Sequence, residues 1–413
     1  MNEKPLTLSP RPSARAWLVV VLLWFVVLSN YFARLMPTSM HGSLVAAIPM
    51  TEAQFGLLTS CLMWTYGLMS PLAGFLADRF SRSRVIIFSM FLWSAVTWLT
   101  AYTKTFEQLL ILRSLMGISE ACYLPAALAL ITDYHSGSTR SFATGVHQTG
   151  YVIGIGLSGL GGWLAEQYSW HYAFSVVGLA GIAYCAVLLV LLRDAPRKNH
   201  DDTPAVHAEP RVRVGEAVVS LFSRGAFVLA ISSWAVVGIA IWAIFGWMPV
   251  FFQEHFHLTQ GFAGISATGY MTAAAVPGLL IGGFWADRWS RTNSRGRMYV
   301  PAIGLLLASP CILLTANAGV LSVAILGLVV YRLFHAFADA NMMPILCEIV
   351  DRRYRATGYG ILNMTGSFAA GVGLYVPGAL RDMRLGFGMV FAMVAAATLG
   401  AAVLLYLIKP HKT

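Results

Sequence analysis

Charge is what this sequence has least of: Asp, Glu, Lys and Arg make up 11% of its 413 residues, less than half the share of roughly 25% found in soluble chains. A water-soluble fold is excluded, because hydrophobic residues reach 57% and run through the whole length. Nucleic-acid binding falls with it, since a net charge of +10 would need a basic face on a water-exposed domain. Cysteine is also sparse. Cys61, Cys122, Cys185, Cys311 and Cys347 lie far apart in apolar runs with no CxxC pair, which argues against a disulfide framework and a zinc site. There is no HExxH, no GxSxG and no His pair at metal spacing, so neither enzymatic activity nor a metal or cofactor is expected. The largest polar segment is a short loop, too small to act as the signalling domain of a receptor.

What remains is a succession of uncharged stretches, each long enough to cross about 30 Å of hydrocarbon as a helix. They cover 16–33, 53–77, 85–103, 141–165, 167–192, 225–253, 255–286, 356–380 and 385–408. The run 298–331 holds one helix and the start of another, with a break at Asn317, Ala318 and Gly319. Helices near 106–132 and 320–350 carry interior charges, giving an expected twelve spans. The first run follows Lys4, Arg11 and Arg15 as a signal peptide would, but it lacks a small-x-small cleavage site and is read as a retained helix. Loop charges set the orientation. Arg79, Arg82, Arg84, Arg140, Arg288, Arg291, Arg295, Arg297, Arg352, Arg353 and Arg355 fall on the side of the termini, against Lys104, Arg381 and Arg384 opposite, so both termini are expected in the cytoplasm. The hydrophilic insert divides the chain into a bundle at 1–192, a cytoplasmic linker at 193–220 and a second bundle at 221–413.

The two parts repeat one another. Gly74-Phe-Leu-Ala-Asp78-Arg79-Phe-Ser-Arg82 after the second span answers Gly283-Phe-Trp-Ala-Asp287-Arg288-Trp-Ser-Arg291 after the eighth. Arg113, Glu120 and Pro125 in the fourth span keep the spacing of Arg332, Asp339 and Pro344 in the tenth. The simplest account is an all-α membrane protein of twelve helices in two pseudo-symmetric six-helix bundles.

On these motifs the chain resembles the major facilitator superfamily over essentially its whole length. Asn30-Tyr31-x-x-Arg34 and Arg113-x-x-x-Gly117-x-x-Glu120-Ala121 are similar to the anion:cation symporters, whose substrates are sugar acids and other organic anions, and the Spinster-type lipid transporters share much of the pattern. Where both groups often carry Asp before the first-span arginine, this sequence has Ala33, so no coupling role passes to that position. Ser81 replaces a glycine of the loop motif. The fifth span lacks the proline of the antiporter signature. The resemblance implies that Gly74, Asp78, Arg79 and Arg82, with Asp287 and Arg288 in the second copy, form a gate where the bundles meet.

Charges inside the membrane are costly and mark a watery cavity or a paired network. Glu120 falls near the midplane; Arg113, about 10 Å along the same face, is too far for an easy pair, which leaves Arg34 as the third charge. The functional reading has Arg34 and Arg113 hold an anion, flanked by Tyr31 and Tyr123, while Glu120 takes a proton once the anion claims its arginine. The bland reading is an ion-pair network between spans one and four. Asp339 with Arg332 is either a second coupling site or a buried pair tying span ten to its neighbours; His335 and His147 are either proton relays or packing residues. Gly150, Gly154, Ser158 and Gly162 form a small-residue stripe expected to pack across the bundle interface. The leading expectation is a monomeric, proton-coupled symporter of a small organic anion in the cell's inner membrane. A Spinster-like lipid or lysolipid transporter, or a proton antiporter exporting an amphiphile, is the alternative.

Overall fold

The computed structural model describes residues 14–135, 139–195 and 214–409; Ala77, Asp78, Val214, Arg352 and Ala356 are described by their backbone alone. Most of the expected linker lies outside these residues. The first set of helices is α1 (Ala14–Ser39), α2 (His41–Ala47), α3 (Glu52–Arg79), α4 (Arg82–Thr100), α5 (Phe106–Ala121), α6 (Tyr123–Tyr134), α7 (Arg140–Leu157), α8 (Leu160–Gln167) and α9 (Trp170–Leu191). The second is α10 (Val214–Phe222), α11 (Gly225–Phe256), α12 (Gln260–Ser290), α13 (Gly296–Asn317), α14 (Leu321–Ile349), α15 (Arg355–Asp382) and α16 (Phe387–Leu407). α5 continues into α6 across Cys122, and α7 into α8 across Ser158 and Gly159, all in helical or near-helical conformation, so twelve long rods result among the described residues. The expected break after Asn317 separates α13 from α14.

Side-chain caps set several starts. Thr51 accepts from the Gln54 amide while Gln54 Oε1 accepts from the Thr51 amide, a capping box that begins α3. Ser169 and Thr259 accept from the Tyr172 and Phe262 amides and so cap α9 and α12. Nine of the described rods are long and apolar enough to cross a membrane by length and composition. The other three are α3, α7–α8 and α15, the last two rich in Gly, Ser and Thr. α3 packs on α15 and α7–α8 on α12, so all three line the junction of the two sets. The lipid side is carried by exposed residues such as Phe88, Leu189, Val190 and Leu326.

The glycine stripe reaches the junction as expected only at its far end, where a Cβ at Gly162 would meet the Gln260 carbonyl of α12 as well as the Ser39 carbonyl of α1. A Cβ at Gly150 or Gly154 would run into the Trp24 and Leu28 carbonyls of α1, within the first set. The junction is crossed by the neighbouring face, where Gly156 meets Thr272 and Gly159 meets Gly264 of α12. A period of four drifts around a 3.6-residue helix, so the stripe and the junction-facing glycines lie on adjacent faces.

Candidate functional site

Between the two sets lies a cavity of about 360 Å³. The first set contributes Tyr31, Arg34, Tyr66 and Tyr151, and the second contributes Trp234, Trp242, Arg332, Asp339, Tyr359 and Asn363. Arg34 is its best-defined polar group. Its Nε and NH2 both donate to Glu120 Oε2, at 2.9 and 2.5 Å, and NH2 lies 3.4 Å from Asn30 Oδ1. The guanidinium carbon stands 4.5 Å from the Tyr31 ring and 4.8 Å from the Tyr66 ring, cation–π contacts that hold the fork without neutralising it. Glu120 is sealed behind Arg34, with its side chain 0% exposed and Oε1 buried without a hydrogen-bond partner. NH1 of Arg34 takes no part in the bonds to Glu120.

Arg113 does not line the cavity. Proline at position 37 supplies no N–H to the Ala33 carbonyl, and the guanidinium of Arg113 takes over: NH1 donates to Ala33 O at 3.4 Å and NH2 to Arg34 O at 2.7 Å. The arginine braces the irregular turn that presents Arg34. α5 can reach it because Gly117 brings α5 against the Leu62 carbonyl of α3. Tyr123 also stands behind the cavity wall, its hydroxyl donating to Leu23 O at 2.8 Å or sharing a 2.8 Å bond with His147 Nε2. His147 is fully buried and its Nδ1 has no partner.

In the second set Arg332 NH1 donates to Asp339 Oδ2 at 2.7 Å and lies 3.1 Å from His335 Nδ1. All three residues belong to α14, so the pair ties that helix to no neighbour. Arg332 and Asp339 face the cavity, whereas His335 is fully buried. The repeat in sequence is therefore not a repeat in bonding: Arg332 pairs with the acid seven residues on, while Arg113 leaves Glu120 to Arg34.

At the end bearing Glu52 and Asp382, the sets are joined by two reciprocal caps. The first amides of α3, from Glu52 and Ala53, donate to the Asp382 carboxylate of α15 at 3.0 Å each. The Gly261 amide of α12 donates to Glu166 of α8 at 2.9 Å. Each carboxylate satisfies orphan N–H groups at a helix start of the opposite set. Gln260 adds bonds to Ser43 and Gly162, and Arg381 lies 3.7 Å from Glu52. Asp382 and Glu166 did not stand out in the sequence, because acids at span ends look like ordinary loop residues.

At the opposite, basic end no hydrogen bond or ion pair joins the two sets among the described residues. Arg82 pairs with Asp133, and Arg297 bridges Asp287 and Glu348 at 3.0 Å each, within single sets. Arg79 stands over Phe75, and a Cβ at Gly74 would meet nothing within 4 Å. Arg288 lies in the last turn of α12. Asp78, expected at the gate, lies outside the residues whose side chains are described.

A cavity between two sets of helices, bonded across one end and, among the described residues, not across the other, is an arrangement suited to transport. The sequence matches the Major Facilitator Superfamily over residues 23–331 and again over 253–413, and the chain belongs to that family. It is 25% identical over 415 residues to the D-galactonate transporter of Escherichia coli O6:H1, covering 95% of each chain. It is also 25% identical over 381 residues to Protein spinster of Drosophila melanogaster, covering 89% of this chain and 62% of that one. Among solved structures, a bacterial homolog of the human lysosomal transporter Spinster, inward-facing and unoccupied, matches with a TM-score of 0.79 at 20% identity, over 97% of this chain and 96% of that one.

Proposed function

We propose that this transporter carries a small organic anion, a sugar acid or related carboxylate, together with protons, by alternating access. It works as a monomer in the cell's inner membrane, with 1–192 and 221–413 as the moving bundles, 193–220 as linker, and the termini and basic end in the cytoplasm. The observation that carries the reading is Arg34, a cation that faces the cavity while its Nε and NH2, and not its NH1, rest on a sealed carboxylate. An anion arriving at the NH1 edge competes with Glu120 for the guanidinium. Glu120 then holds an uncompensated charge in a dry site and takes a proton, with Oε1 the open acceptor. Anion and proton together are closer to neutral, so the loaded cavity closes at lower cost than one holding the anion alone. Arg113 serves by bracing α1, and Tyr31 by stacking on Arg34. The D-galactonate relative supports this substrate class.

In reconstituted vesicles, an acid-outside gradient should drive D-galactonate above its equilibrium level in the wild type and fail to do so in Arg34→Gln. Accumulation by Arg34→Gln at the wild-type level would refute the reading.

A further inference from the structure

A second cation faces the same cavity from the other set. Arg332 spends NH1 on Asp339 and His335, its Nε is buried without a partner, and its NH2 has none among the described residues. Asp339 is the looser member of the pair, with its side chain 27% exposed where that of Glu120 is 0% exposed. The pair lies within one helix and cross-links nothing, so packing gives no reason to keep two charges in the middle of α14. Arg34, Arg332 and Asp339 line the same cavity, with Tyr151 beside them and edge-on to Tyr31 at 4.3 Å, so both guanidinium groups border one space. A monoanion on Arg34 would leave Arg332 half-paired.

We infer that the substrate is a dianion whose second acidic group docks on Arg332 and turns Asp339 aside, so that each set of helices grips one end. This rests on the organic-anion reading above and adds to it the charge of the substrate and the residue that selects it. Bridging the two sets through one molecule gives binding a direct means of drawing them together, since the grip is complete only when both guanidinium groups reach the ligand.

The test uses D-glucarate and D-gluconate, which share a six-carbon hydroxylated chain and differ by one carboxylate. Binding to the purified full-length protein is followed by the fluorescence of tryptophan, two of which, Trp234 and Trp242, line the cavity. Wild type should prefer glucarate by about tenfold or more, the value of a charge-assisted hydrogen bond. Arg332→Gln should remove the preference by weakening glucarate more than it weakens gluconate. Because that change strands Asp339, the measurement is repeated in Arg332→Gln/Asp339→Asn, where the preference should again be lost. Asp339→Asn alone should tighten glucarate several-fold by removing the competitor. A glucarate preference that survives in the double variant, or equal wild-type affinity for the two ligands, would overturn the dianion inference while leaving the organic-anion reading standing. Failure of both ligands to bind the wild type would overturn the two together.

Discussion

Neutralising the two reciprocal caps should open the sealed end. In Asp382→Asn the side chain keeps its size and one acceptor oxygen but loses the charge facing the start of α3, where it now receives two amides at 3.0 Å. A carboxylate at a helix N-terminus contributes about 0.3 to 1 kcal/mol at an exposed site, and a hydrogen bond to a charged group about 1.5 to 3 kcal/mol. Asp382 is exposed to solvent, so the lower part of this range applies, about 1 kcal/mol for the substitution. Glu166→Gln at α12 should cost a similar amount through its 2.9 Å bond to Gly261. The two caps touch different helices and should add, giving about 2 kcal/mol, or roughly a 30-fold shift toward states open at that end. Spin labels at Tyr168 and Met383, both exposed and at that end on opposite sets, would report the separation by electron resonance in lipid nanodiscs. A long-distance population should grow in each single variant and grow most in the double one. An unchanged distance distribution in Asp382→Asn/Glu166→Gln would refute the claim that these caps hold the end shut.

Arg34→Lys should lose at least about tenfold in anion affinity, because lysine lacks the planar fork that holds Glu120 and the ligand at once; direct ligand binding checks it. Arg113→Lys should instead lower thermal stability by about 1 to 3 kcal/mol, since a lysine cannot span the Ala33 and Arg34 carbonyls, and calorimetry of the purified protein would detect this. Gly117→Ala should destabilise comparably and displace Arg113 from α1, because the added methyl collides with Leu62 and Thr65 of α3. Asp78→Asn should slow transport more than it weakens binding, as expected of a gate far from the midplane; equal losses in vesicle uptake and ligand binding would argue against that role.

Hydropathy, the one-sided basic residues and the duplicated loop motif made the twelve rods legible, because a lipid solvent enforces both helix length and loop charge. Arg34 and Glu120 were legible as partners for the same reason: isolated charges in apolar spans must find each other. The role of Arg113 was hidden because it depends on Pro37, seventy-six positions earlier, leaving one carbonyl of another helix unpaired. The caps by Asp382 and Glu166 were hidden differently. Their partners are backbone amides, which carry no residue signature, and only the approach of two distant helix ends makes an ordinary terminal acid into a tie. Tyr123 shows the limit of spacing arguments. One turn after Glu120 it flanks the charge in sequence, but its hydroxyl meets the Leu23 carbonyl and His147 behind the cavity wall.

Coupling through Glu120 is the central claim, and net uptake compared with exchange in Glu120→Gln tests it most directly. The amide mimics the protonated acid permanently and leaves Arg34 free, so substrate should still bind. In the wild type, binding should weaken as pH rises, because the ionised carboxylate competes for Arg34; in the variant this dependence should be largely lost. In reconstituted vesicles, exchange of labelled for unlabelled D-galactonate should persist, since it needs no return of an empty, deprotonated carrier, while accumulation driven by an acid-outside gradient should vanish. Gradient-driven accumulation by Glu120→Gln would contradict the account.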